Sequence, residues 1–373
     1  MKIVVLSSHS CFEGVSLLMK NLSVELSSEL EFLSIFSDEE YREKKNKIQQ
    51  ILFRLKNYLF FPLLILFKYK YIKKKFDLII CITNPFYLPY LVSFLFPSKK
   101  KIIWLFDLYP ESLVIHNIIR RGSKIENMLL KMTSHCIKNS DAAIYVLKSH
   151  LDFGISKNWK SKINQAIPHV SGMPSNLKQI EYPNDKTIIL YCGTLGLMHD
   201  YSTMFTYFKN FNISNSISFQ FYTSGSKKIE FENKILNELS DNVKKDNIVL
   251  SDSLSSEKWI NKMSESHVGL VFQSKGAGHV IFPSKFVSII SMGQAILAIC
   301  ELDSELAHLI TNYNCGWVVE ISNVKSLDLA MKEIQERDLL SEKRKNSLKL
   351  YNEIFSNESI VGLWKDVINR IHN

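Results

Sequence analysis

The feature that most constrains this chain is an alternation. Short runs rich in Ile, Val, Leu and Phe are separated by longer stretches whose apolar residues recur at helical spacing. A parallel connection must travel back along the whole sheet, and a helix does this while covering one face. Lys2–Ser7, Leu30–Phe36, Asp77–Thr83, Lys101–Phe106 and Ala142–Leu147 therefore read as strands, with helices near Ser16–Ser27 and Lys124–Asn139. MKIVVLSSHS reads as a first buried strand rather than a secretory signal. Val170–Asp185, with Gly172, Pro174 and Pro183, breaks the pattern and reads as a linker. Beyond it Thr187–Cys192, Ser218–Thr223, Asn247–Leu250, Val268–Phe272, Ala295–Ile299 and Gly316–Val319 predict a second set of strands. Helices are expected near Ser202–Phe211, Phe231–Leu239, Ser256–Ser264, Lys285–Met292, Glu301–Asn312 and Val324–Glu336. At 373 residues the chain is too long for one core. The pattern gives two similar α/β halves, 1–172 and 186–356.

A formal net charge of +9 points to an anionic partner. Basic residues crowd the first third, among them Arg42, Lys44, Lys45, Lys47, Lys68, Lys70, Lys73, Lys74 and Lys75. Between them lies an apolar run of nine residues, Leu59–Phe67, far short of the roughly 20 needed to span a bilayer. Two readings fit: a segment lying in a membrane interface, or a core helix with a solvated basic end. Nucleic acid is not an expected partner, because no recognised nucleic-acid module is present. The six cysteines include no C-x-x-C pair, so no zinc site is expected. They read as free thiols of a reducing cytoplasm.

Ligands of open parallel sheets bind beyond the carboxyl ends of the strands, so five loops carry the candidate residues. Gly193-Thr194-Leu195-Gly196-Leu197-Met198-His199 follows a strong strand and can present backbone N–H groups to a phosphate. A plain β–α turn explains the same glycines. Pro283-Ser284-Lys285 opens a helix that Gly293 ends. A lysine is unfavourable at a helix start, so Lys285 there either binds an anion or is simply solvated. Asp107 and Glu111 can hydrogen-bond sugar hydroxyls or serve as acid and base, or Pro110-Glu111-Ser112 caps a helix. Glu13 and Gly14, after the first strand, are candidates on the acceptor side. Glu301, Asp303 and Glu305 either start a helix or grip ribose and sugar hydroxyls.

Taken in order, these segments resemble glycosyltransferase family 4, and especially the bacterial O-antigen, colanic-acid and N-acetylfucosamine transferase-like group. The resemblance rests on Asp107-Leu108-Tyr109-Pro110-Glu111-Ser112, Gly193–Gly196, Pro283-Ser284-Lys285 through Gly293 to Leu297, Asp303-Ser304-Glu305-Leu306-Ala307, and Cys315 to Val319. It covers nearly the whole chain. It implies a GT-B fold, two Rossmann-like domains with parallel sheets facing a cleft. A final helix, 357–373 with Trp364, returns to the first domain. It implies a retaining, metal-independent hexosyl or N-acetylhexosaminyl transferase with no cofactor. The donor is a nucleoside-diphosphate sugar, and the acceptor a lipid-linked saccharide of O-antigen or capsule synthesis. The enzyme is expected in the cytoplasm, peripheral at the inner membrane face.

Lys285, Asp107 and Glu111 are then the expected catalytic residues. The donor is expected to contact Gly193, Thr194, Gly196, His199, Pro283, Ser284, Ser288, Glu301 and Glu305, with Lys275 as a further cation. Many members of the family carry two glutamates at positions that are Val280 and Ser288 here. Their loss favours one alternative, a non-catalytic partner in polysaccharide assembly; a sugar-nucleotide epimerase of the same architecture and an inverting transferase of the same fold also stay open.

Overall fold

The computed structural model describes residues 1–8, 13–37, 40, 47–115, 117–168, 170, 186–239, 247–278 and 280–372. Of the expected features, Cys11 and most of the linker, from residue 171 to 185, lie outside them. The chain divides into two compact units, Met1–Gly172 with Asn357–Asn373, and Met173–Ser356.

The first unit holds strands β1 (Lys2–Leu6), β2 (Glu29–Leu33), β3 (Leu78–Ile82), β4 (Lys100–Leu105), β5 (Ala142–Tyr145) and β6 (Ile163–Ala166). They form one six-stranded parallel sheet in the order β2-β1-β3-β4-β5-β6. Its helices are α1 (Glu13–Glu25), α2 (Lys47–Leu55), α3 (Phe61–Phe67), α4 (Tyr69–Lys75), α5 (Leu88–Leu95), α6 (Glu111–Ile115), α7 (Lys124–Lys138) and α8 (Lys148–Ser156). A π-helical turn, Lys56–Phe60, joins α2 to α3. The polar segment Ile-Asn-Gln-Ala of β6 carries no apolar run, which is why the sequence does not announce this edge strand.

Because all strands run parallel, both faces of the sheet are covered, and the inner strands β1, β3 and β5 are buried and apolar almost throughout. Alternate side chains serve opposite faces. Ile3, Val5, Leu78, Ile80, Ile102 and Trp104 pack against α1 and the C-terminal helix Asn357–His372. Trp364 of that helix meets Trp104 edge-on, with ring centroids 4.7 Å apart. Val4, Leu6, Ile79 and Cys81 face the other way, onto Phe61, Ile65, Ile72, Phe76, Leu88 and Val92.

The second unit repeats the plan with β7 (Thr187–Thr194), β8 (Ile217–Ser224), β9 (Ile248–Asp252), β10 (Val268–Phe272), β11 (Ala295–Cys300) and β12 (Gly316–Glu320). The order is β12-β11-β10-β7-β8-β9, again all parallel. Its helices are α9 (Ser202–Asn210), α10 (Lys228–Glu238), α11 (Ser256–Glu265), α12 (Ser284–Ser291), α13 (Glu305–Asn312), α14 (Val324–Glu333) and α15 (Arg337–Leu350), and α16 is the helix Asn357–His372 of the first unit. The helix expected from Glu301 starts at Glu305, because the Ser304 hydroxyl caps it by accepting the Ala307 N–H at 3.2 Å.

In each sheet the winding reverses once, between β1 and β3 and between β7 and β10. Such switch points open a crevice at the carboxyl ends of the strands. Cys81, Cys136, Cys300 and Cys315 are buried free thiols, and Cys192 is half-buried.

Candidate functional site

At the switch point of the second sheet, β7 runs on through Gly193 to Thr194. Gly193 has φ +128°, a region that side-chain-bearing residues rarely adopt. A Cβ there would make only ordinary contact with Lys285 Cε at 3.5 Å, so it is the backbone angle and not space that calls for glycine. The loop beyond is pinned from both sides. Leu195 N–H donates to Ser224 O at 2.7 Å, and Lys227 Nζ donates to His199 O at 2.9 Å. Ser274 N–H donates to Met198 O at 2.9 Å. Gly225, at φ +103°, lies so close that a Cβ would stand 2.7 Å from Leu195 O. These contacts fix the Gly193–His199 backbone before any ligand arrives.

Lys285 comes from the first turn of α12. Its ammonium donates to the Tyr191 hydroxyl at 2.8 Å and to Thr194 O at 3.2 Å, and lies 4.0 Å from the Tyr191 ring centroid. The Tyr191 hydroxyl in turn donates to Thr194 O at 2.8 Å. Lys285 is half-buried, with Tyr191, Thr194 and Gly193 around its ammonium. No ion pair among the described residues includes it. A cation held by neutral oxygens alone is poorly compensated, and burial pushes its pKa down to about 7.

His199 completes this end of the site. Its Nδ1 accepts the Gly196 N–H at 3.1 Å. Burial, with the Lys285 charge nearby, lowers its pKa to about 3. The ring is therefore neutral at pH 7, and the accepted hydrogen bond leaves the proton on Nε2, which can donate.

α12 adds its own positive end. Pro283 occupies the cap position with no side-chain cap, no acid sits in the first turn, and Ser284 is exposed. The first N–H groups of such a helix lack intrahelical partners and favour an anion. The structure thus brings Gly193, Thr194, Gly196, His199, Pro283, Ser284 and Lys285 together where the end of β7 meets the start of α12.

The other expected donor residues are placed differently. Glu301 accepts the Gly276 N–H at 2.8 Å, so it shapes the loop after β10. Glu305 takes the first position of α13 behind the Ser304 cap. Ser288 is buried on α12, and Val280 is buried too. Lys275 is exposed on the loop after β10. Tyr191, Gly225 and Lys227 belong to the site yet escape the sequence. Tyr191 hides in an apolar strand, although Gly225 following β8 directly was a usable signal.

In the first unit Asp107 lies just past β4, with the Tyr109 hydroxyl 3.5 Å from Oδ2. Glu111 is not open to a ligand. Its side chain is only 3% exposed, and Oε2 pairs with Arg121 Nη2 at 2.7 Å. Arg121 also reaches Glu126 Oε1 at 3.5 Å, and Glu126 accepts the Gly122 N–H. A buried carboxylate needs such partners, so the residue expected to orient sugar hydroxyls is engaged in a structural ion pair instead. The Glu111 pairing holds the Arg121 pKa above its ordinary value. Glu13 and Gly14 open α1, and the Glu13 side chain lies outside the described residues.

No known family model and no curated protein matches the sequence. Solved structures do match the whole chain. Anabaena HepE, in complex with UDP-glucose, superposes with a TM-score of 0.70 at 12% identity, over 99% of this chain and 100% of that one. Sucrose-phosphate synthase from Thermosynechococcus elongatus gives 0.67 at 12% identity, over 100% and 99%. A glycosyltransferase from Rickettsia africae gives 0.61 at 14% identity, over 100% and 98%. At these identities the likeness establishes the fold: this is a GT-B chain, two Rossmann-like units each built on a parallel sheet.

Proposed function

We propose that this protein is a glycosyltransferase, of family 4 type, that takes a hexosyl or N-acetylhexosaminyl group from a nucleoside-diphosphate sugar. The observation that carries this reading is the Lys285 ammonium. It lies against the glycine loop and the uncapped start of α12, with no carboxylate partner among the described residues. A diphosphate supplies the missing negative charge. HepE, which shares the fold, was crystallised with UDP-glucose, and this favours a nucleotide-sugar donor.

In the proposed reaction the bond from the anomeric carbon to the donor phosphate breaks, and charge grows on the leaving diphosphate. Lys285, the Gly196 region and the His199 Nε2–H stabilise that charge where it develops. The acceptor oxygen bonds to the anomeric carbon on the face the phosphate leaves, and its proton passes to a phosphate oxygen. The configuration is retained, and neither a protein nucleophile nor a metal is used. Asp107 contacts sugar hydroxyls. The acceptor is a lipid-linked saccharide of O-antigen or capsule synthesis, met at the inner face of the cell membrane. The basic and apolar character of the first unit supports this choice.

The test is a panel of UDP-, GDP- and dTDP-sugars scored by thermal shift, since a ligand of the folded state raises apparent stability. Transfer to lipid-linked acceptors and product anomer analysis follow. At least one nucleotide sugar stabilises the wild type and not Lys285→Ala. Equal stabilisation of both sinks the role given to Lys285.

A second reading has its own observation. Val280 and Ser288 are buried where family 4 members carry glutamates. A non-catalytic partner would bind nucleotide sugar, but neither transfer nor hydrolyse it.

A further inference from the structure

The first unit carries a surface that the donor site does not use. Residues 48–67 form one 20-residue helical stretch, α2, the π turn and α3, apolar enough and long enough to cross a membrane. Yet it is anchored to the unit: Phe61 and Ile65 are buried in the core, and the Tyr87 hydroxyl donates to Asn57 O. Crossing a bilayer would pull these residues out. The outward side is the unusual one. Leu52, Leu55, Leu59, Leu63 and Leu66 recur at intervals of three and four, so they share one side of the helix, and all are exposed. Phe67, at the end, is 90% exposed. A surface helix ordinarily turns polar residues outward, and a contiguous exposed apolar strip marks a contact surface.

The charge next to this strip selects its occupant. Residues 47–75 contain no Asp or Glu. α4 follows Phe67 almost directly and exposes Lys70, Lys73 and Lys74. Lys75 is paired with Glu29 and Glu31, whereas Lys70, Lys73 and Lys74 are in no ion pair among the described residues. Arg42, Lys44 and Lys45 precede the helix in the chain, and Lys47 opens it. An apolar strip beside unpaired cations matches a bilayer interface that offers acyl chains beneath anionic headgroups. A second copy of this chain would bring the same lysines and no acid from this segment.

We propose that α2, α3 and α4 dock on an anionic lipid surface, the leucine strip and Phe67 entering the headgroup boundary and Lys70, Lys73 and Lys74 binding the headgroups. These residues are separate from the donor site. The docking rests on the membrane-facing part of the proposed function: vesicle binding without sugar transfer overturns the transferase and leaves this surface standing, whereas transfer without vesicle binding overturns the surface and the inner-membrane location but not the transferase.

The experiment is co-sedimentation of the full chain with phosphatidylcholine vesicles, with and without phosphatidylglycerol, at low and high salt. The wild type binds the anionic vesicles, and salt weakens binding. Leu63→Glu with Leu66→Glu abolishes it. Lys70→Gln, Lys73→Gln and Lys74→Gln, which leave every buried residue in place, weaken it about fivefold per lysine. Melting curves and UDP-sugar binding of the variants match the wild type. The proposal is overturned if the wild type ignores anionic vesicles, or if the lysine variants bind them as well as the wild type does. It is equally overturned if the strip is buried in a homodimer that Leu63→Glu with Leu66→Glu dissociates.

Discussion

The two units start alike and diverge after their second strand. In the second unit β8 is followed by α10 and then β9, which extends the sheet and closes its edge. In the first unit β2 is itself the edge, and the described chain after it forms α2, α3 and α4 instead of a strand. The result is one unit whose sheet gains a third strand on that side and one that carries a long, outward-apolar helix there instead. The charged groups diverge as well. Past β4 of the first unit the buried Glu111 is neutralised by Arg121, whereas at the second switch point Lys285 meets only neutral oxygens. Of the two, only the second presents a charge whose counter-ion has still to arrive. A topological switch point provides the crevice in both units; the charge left unpaired in it marks where an anionic ligand goes.

This contrast can be broken or sharpened in four ways. Trp364→Ala removes the ring packed on Trp104 and should lower the stability of the first unit by about 3–5 kcal/mol, read by thermal or urea unfolding. Binding of whichever nucleotide sugar the thermal-shift panel identifies should persist; its loss would mean that the units do not act independently. Lys285→Ala should reduce transfer by about 10²–10³-fold with an unchanged melting curve. A drop in stability without a drop in transfer would move Lys285 into the scaffold.

Glu111→Gln should cost about 2 kcal/mol of stability through the weakened Arg121 contact and leave nucleotide-sugar affinity untouched. A loss of transfer at full stability would return Glu111 to the role that the sequence suggests. The smallest effect is a pH dependence. Diphosphate binding favours the ammonium, so the bound-state pKa of Lys285 lies above the free value of about 7. Affinity for a nucleotide sugar is then full below about pH 7 and falls up to tenfold per unit above it, until the bound-state pKa is reached. His199, at about 3, is neutral throughout that window. Lys285→Arg should flatten the profile, and a profile in Lys285→Ala matching the wild type would assign the titration elsewhere.

Much of the fold was legible because parallel strands are buried on both faces. Runs such as Val268–Phe272 are apolar without interruption, and the sequence predicts that strand with its observed limits. The same rule hid β6, whose Asn and Gln fit an edge. Several expected donor residues converge, because glycines and a helix start leave local marks at Gly193, Gly196 and Pro283. The partner of Glu111 was not legible, since a carboxylate at a helix start looks alike in sequence whether it awaits a sugar or an arginine. The partner, Arg121, stands ten residues on and carries no motif.

Local patterning thus determined the strands, the helices, the glycine turns and the position of Lys285 at a helix start, for these follow from spacing and backbone freedom. The tertiary structure decided which charges are satisfied. It gave Glu111 a guanidinium and gave Lys285 only the oxygens of Tyr191 and Thr194. It also turned the leucines of α2 and α3 outward. Pairing and exposure depend on what the rest of the chain brings within a few ångströms, and spacing along the sequence does not carry that information.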